Sequence, residues 1–199
     1  RYIVRRRGLL GLTLVFMLIY LFAAITYFGI LAPMVLARSG GDEIVLSGVQ
    51  AALGVGGIVG GIVMAIWGGP KRKIHGVLAF TAASFIFGDF LFAVGRIPSM
   101  WMLAAFMSSF FIPFITSSHN AIWQTKVPQD LQGRVLGTAF AMQQITRPFG
   151  FLIAGPLADL VFEPALMPGG ALADSLGWLV GTGPGAGMGL MFMFTAVLG

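Results

Sequence analysis

A few side chains that can do chemistry interrupt long apolar runs in this chain. Asp89 and Arg147 are ionisable residues inside such runs, where a charge costs at least a few kcal/mol unless it is paired or hydrated. At about 1.5 Å per residue, Asp89 lies about 24 Å along its helix from Lys73, and Arg147 about 20 Å from Arg134. Their heights therefore suit an ion pair, with Asp89 as a coupling candidate. Otherwise, Asp89 reaches the interface near Arg96, and Arg147 snorkels or satisfies backbone carbonyls. Gln143, Gln144 and Thr146 precede Arg147 and put a polar stripe at mid-run, read either as the wall of a wetted cavity or as interhelical hydrogen bonds. His119, within Thr116-Ser117-Ser118-His119-Asn120, has an imidazole suited to proton coupling or to a satisfied interfacial position; Trp123 follows at the expected interface.

Enzyme chemistry has no comparable support. The chain has no cysteine, and its two histidines are His75 and His119. Neither a nucleophile with its base, nor a His-Glu metal motif, nor a phosphate-cradling loop is present. The Gly-rich run lacks the Lys-Ser/Thr ending of a nucleotide loop, and Gly68-Gly69-Pro70-Lys71-Arg72-Lys73 reads as a tight turn with anchoring charges. No catalytic residue, metal or cofactor is expected. The formal charge of +5 falls in short basic clusters between apolar runs, not on one patch, so nucleic acid is not an expected partner.

The elements that must position these residues are membrane spans. Of 199 residues, 57% are hydrophobic and 10% charged, against roughly 25% charged in a soluble domain. About 20 apolar residues cross the hydrocarbon core as a helix. Spans are expected at about 8–34, 44–67, 74–94, 100–122 and 135–157, with a sixth at 185–199 that is cut short; residues 159–184 form an external loop. The basic run Arg5-Arg6-Arg7 precedes a stretch too long for a signal peptide. The first residue is Arg1, and the last apolar run stops without a polar tail, so both ends read as truncations. If the six spans alternate, one set of connections holds Arg1, Arg5, Arg6, Arg7, Lys71, Arg72, Lys73, Lys126 and Arg134, and the other only Arg38 and Arg96. That asymmetry places both ends in the cytoplasm, with Lys71, Arg72, Lys73, Lys126 and Arg134 as anchors.

In the second span, Gly56/Gly60 and Gly57/Gly61 are overlapping pairs of small residues four apart, which let helix backbones approach closely. Static packing and a sliding or gating contact weigh equally there. Pro33, Pro113 and Pro148 fall within or at the ends of spans, where they permit kinks.

The segment Ser118-His119-Asn120-Ala121-Ile122-Trp123-Gln124-Thr125-Lys126-Val127-Pro128-Gln129-Asp130-Leu131-Gln132-Gly133-Arg134-Val135 resembles the loop between helices ten and eleven of major facilitator superfamily transporters, most closely the macrolide-efflux-like branch that includes siderophore exporters. Trp67 to Gly76, and Gly155-Pro156-Leu157-Ala158-Asp159 leading into Phe162-Glu163-Pro164, agree with it. The resemblance implies an all-α membrane protein: a six-transmembrane-helix half-bundle of the major facilitator fold, helices seven to twelve, with residues 1–7 ending a cytoplasmic linker and residues 8–199 the C-terminal transmembrane domain. It further implies a missing N-terminal six-helix half as partner, and alternating access about a midplane cavity coupled to protons. Tyr27, Gln143, Gln144 and Arg147 become the cavity candidates. The superfamily's loop motif, a Gly followed by Asp-Arg and a basic pair, is here reduced to Lys71-Arg72-Lys73 without its Asp. The family's helix order makes the ninth helix an outer support, which argues against an Asp89–Arg147 contact.

The expected function is a secondary active exporter of small amphipathic compounds such as drugs, macrolides or siderophores, multi-pass in the plasma (inner) membrane. The competing expectation is a non-transporting scaffold or a membrane enzyme, and a scaffold has little use for ionisable groups at mid-span.

Overall fold

Short polar punctuation cuts the apolar sequence into helices. In the computed structural model, which describes residues 2–198, Asp42 precedes the second helix and its carboxylate accepts from the N–H groups of Ile44 (2.8 Å) and Val45 (3.2 Å), capping the start. Gly68 closes the same helix with φ +76°, a left-handed conformation that favours glycine, and its N–H returns to Met64 O at 2.9 Å. Pro98 sits in the first turn of the fourth helix, where a missing N–H leaves no bond unmade.

Five helices are long and apolar enough to cross a membrane: Arg7–Ser39, Glu43–Trp67, Lys73–Val94, Pro98–Lys126 and Gln129–Leu166. A shorter apolar helix, Ala186–Leu198, follows. They are called here the first to sixth spans. Among the described residues the regular structure is all helical. Arg1 and Gly199, the outermost residues of the expected linker and sixth span, lie outside the described residues.

The expected linker and external loop are more ordered than the sequence reading has them. Tyr2–Arg5 forms a helical turn, and the Arg6 guanidinium donates to Lys126 O at 3.1 Å. The fifth span runs on past residue 157 to Leu166, and Ala173–Val180 is a further short helix, so 159–184 is not a plain loop. Pro164 lies within this continuation, at the start of Glu163–Leu166.

Three spans contain a widened π-helical turn: Ala24–Ile30 in the first, Phe85–Asp89 in the third and Ala158–Phe162 in the fifth. Such turns insert an extra residue and re-aim the side chains beyond them. The fifth span also breaks at Ile145–Thr146 just before Pro148, and Thr146 Oγ1 donates across to Met17 O at 3.0 Å.

Gly56 and Gly60 face the fourth span, where a Cβ on either would collide with the backbone carbonyls of Phe106 and Phe110. These two glycines are the packing seam. Gly57 and Gly61 meet nothing within 4 Å, so the second small-residue pair faces away from the bundle. The first and fifth spans close a similar seam reciprocally: a Cβ on Gly150 would lie 2.6 Å from the Ala24 methyl, and one on Gly29 2.6 Å from that of Ala154.

The core divides along the bundle axis. Near the Lys71 end, Leu9, Leu12, Phe16, Trp123 and Val135 cluster; toward the other end, Met34, Val35, Phe92, Trp101, Leu166 and Phe192 do. Large apolar side chains also cover the outside, among them Ile66 (82% exposed), Leu152 (72%) and Leu160 (77%). Hydrocarbon, not water, is the solvent that such a surface suits. Lys71, Arg72, Lys126 and Arg134 are exposed and Lys73 half-buried, and Arg6, Arg7, Lys73 and Lys126 line one depression at that end.

Candidate functional site

Two of the π-turns supply the central site. Asp89 ends the turn in the third span, and Tyr27 sits within the turn of the first. Asp89 is only 1% exposed. Its Oδ1 accepts from the Tyr27 hydroxyl, and its Oδ2 accepts from Thr195 Oγ1 of the sixth span at 2.6 Å. Each carboxylate oxygen therefore holds one hydroxyl donor. The Tyr27 ring stands edge-on to Phe92 and Phe192, with centroids 6.0 and 5.7 Å away, so the cluster is walled by aromatic carbon. Next to Asp89, Gly88 lets the third span approach: a Cβ there would lie 2.6 Å from Ser108 Cβ and 3.0 Å from the Tyr27 hydroxyl.

The expected partner of Asp89 is elsewhere. Arg147 is half-buried at the break in the fifth span, with its guanidinium carbon 5.3 Å from the Tyr20 ring centroid and 4.9 Å from that of Phe28. Aromatic faces take the place of a carboxylate. The expectation of an Asp89–Arg147 pair is thus corrected: hydroxyls serve the acid and π-faces serve the base.

The polar stripe also divides. Adjacent residues on a helix are about 100° apart, so Gln143 and Gln144 cannot share a face. Gln143 is fully buried, and Gln144 is exposed. Gln143 Nε2 lies 3.3 Å from His119 Nε2, which also accepts from the Trp123 indole at 2.9 Å. The Phe16 ring covers the imidazole, with centroids 3.8 Å apart. His119 is 2% exposed and Trp123 0%, so both side chains face the interior of the bundle. Tyr27 and Gln143, expected in a cavity, both point into the bundle; Gln144 and Arg147 remain on its accessible side.

Three residues that hold the site together escaped the sequence reading. Thr195 is one, the single hydroxyl in Ala186–Leu198. Arg38 is the second: its guanidinium donates to the carbonyls of Gly185 (3.1 Å), Gly95 (2.8 Å), Val180 (2.9 Å), Phe92 and Ala93 (both 3.3 Å). Glu163 is the third, accepting from the N–H groups of Gly185 (3.0 Å) and Met188 (2.9 Å) at the start of the sixth span. A carboxylate there satisfies orphan donors and complements the helix dipole. Arg38 is one of only two arginines in the connections opposite the basic clusters, which was its one signal in the sequence. Nothing comparable marked Glu163.

Comparison with known proteins gives one partial likeness. Over 63 residues, 32% of this chain, the sequence is 36% identical to the multidrug efflux pump Tap of Mycolicibacterium fortuitum, and the match takes in 15% of that pump's length. No family model matches the chain. No solved structure matches it. The chain is therefore an all-helical bundle with five helices fit to cross a membrane, similar over about a third of its length to an efflux pump.

Proposed function

We propose that this chain is half of a secondary active transporter: the C-terminal six-helix half-bundle of a major facilitator protein of the macrolide-efflux-like branch. It works by proton-coupled alternating access, exporting small amphipathic compounds such as drugs, macrolides or siderophores. The observation that carries this reading is the 36% identity to an efflux pump, in a chain whose spans bury a hydrogen-bonded carboxylate. An intramembrane acid without a purpose would be a liability, which disfavours a static scaffold.

In this reading the bilayer is that of the plasma membrane, with both ends of the chain in the cytoplasm. A second six-helix half covers the accessible side of the fifth span, so that Gln144 and Arg147 line the shared cavity. The guanidinium on the Tyr20 and Phe28 faces presents a flat cationic and aromatic wall, suited to amphipathic molecules.

The test is efflux of ethidium and of a macrolide from cells that express the intact protein and lack their own pumps. Efflux should stop when a protonophore collapses the proton gradient. Arg147→Ala should lower it about fivefold, the equivalent of ~1 kcal/mol in binding. Equal dye retention with and without the protein, for every compound tried, would remove the transport reading.

A further inference from the structure

We propose that Asp89, Tyr27 and Thr195 form the proton-binding site of this half-bundle, with the Thr195 hydroxyl as a two-position rotor that reports the charge of Asp89 to the sixth span. The proposal rests on the transport reading for its purpose and on geometry for its mechanism.

Thr195 Oγ1 has one hydrogen and two acceptors in reach: Asp89 Oδ2 at 2.6 Å and the Phe192 carbonyl oxygen, within its own helix, at 2.9 Å. A hydroxyl can donate to only one of them fully at a time. When Asp89 is ionised it is purely an acceptor, and Thr195 and Tyr27 each donate to it. When hydronium delivers a proton to Oδ2, leaving water behind, that oxygen gains an O–H bond and becomes a donor. Two donors then face each other across the short Thr195 contact, so Thr195 turns to Phe192 O and offers Asp89 a lone pair instead. Release reverses the step: the O–H bond breaks, the proton leaves as H⁺, and the hydroxyl swings back. No electrons change hands.

Among the described residues, the surroundings contain no competing charge. The first span presents Tyr27 to Asp89, the sixth presents Thr195 and has no ionisable residue, and the fourth presents Ser108 beside Gly88. His119 and Lys126 of the fourth span lie toward its other end. Arg38 lies beyond Asp89 along the third span, its guanidinium committed to the carbonyls of Phe92, Ala93 and Gly95. Asp89 and Tyr27 both stand on widened helical turns, where backbone register can shift by one residue without unwinding the helix. Proton binding thus acts on the three spans whose packing meets at the cluster.

Two measurements on the intact protein in proteoliposomes test this. Infrared difference spectra across a pH jump should show the carbonyl stretch of a protonated carboxyl. That band should vanish in Asp89→Asn, persist in Asp89→Glu and be unchanged in Asp159→Asn, whose carboxylate is exposed. Tyr27→Phe and Thr195→Val should shift its pH midpoint. Ethidium accumulation driven by a pH gradient should fall about tenfold or more in Asp89→Asn, with substrate exchange in the absence of a gradient retained. A band unaffected by Asp89→Asn, or gradient-driven accumulation equal to wild type in that variant, would overturn the proposal. A band lost in Asp89→Asn from a protein that moves no dye would uphold the proton site and bring down the transport reading instead.

Discussion

Arg38 is the residue on which most backbone converges. Its guanidinium binds carbonyls from the end of the third span, from Val180 in the connecting helix and from Gly185 at the start of the sixth. Hydrogen bonds to a charged donor are each stronger than neutral ones, and removing the donor leaves carbonyls orphaned. Arg38→Ala should therefore destabilise the detergent-solubilised protein by about 3 kcal/mol, read as a fall in unfolding midpoint. Arg96 is exposed and makes one bond, to Trp178 O at 2.8 Å, so Arg96→Ala should stay within about 0.5 kcal/mol of wild type. At this scale the sequence showed which residues were out of place but not their partners. Asp89 and Arg147 stand out because apolar neighbours surround them. Tyr27 and Thr195 are 62 and 106 positions from Asp89, and nothing local to Asp89 announces them.

At the scale of elements, spacing was a good guide where helices are regular. Gly56 and Gly60 lie four apart on one face, and that face packs. The pair displaced by one residue, Gly57 and Gly61, has the same pattern but points to open space, and a pattern of small residues cannot say which face is used. Leucine at position 60 should overpack the seam with the fourth span and cost about 2–3 kcal/mol. Gly61→Ala should be neutral or stabilise by about 0.5–1 kcal/mol, since alanine is the better helix former. A thermal-shift comparison of the two variants checks both. Should Gly61→Leu leave stability intact but impair efflux, the outer face would be a moving contact and not a static one. The widened turns were illegible in advance, because a 3.6-residue period carries no mark of one extra residue. They set where Tyr27 and Asp89 point.

At the scale of the whole molecule, charge placement gave the clearest forecast. Residues Arg6, Arg7, Lys73 and Lys126 come from three spans yet meet at one end, as alternation across a bilayer requires. Reporter fusions in the Lys71 turn and at Gly169 should fall in opposite compartments, with the Lys71 reporter cytoplasmic; both reporters on one side would remove the alternation. The fifth helix runs on past 157 with Pro156 inside it, as helices in lipid tolerate proline where neighbouring groups make good the lost bond.

The Arg38 and Glu163 contacts also set where this molecule can flex. They rivet the first, third, fifth and sixth spans together at the end away from Lys71, through the backbone of Gly185. A rivet at one end makes a pivot: a tilt of about 10° around it carries the far end of a helix about 30 Å long through roughly 5 Å. Splaying is then greatest among the basic turns and least beside Gly185, so the mouth that yields most easily is the one lined by Arg6, Lys73 and Lys126.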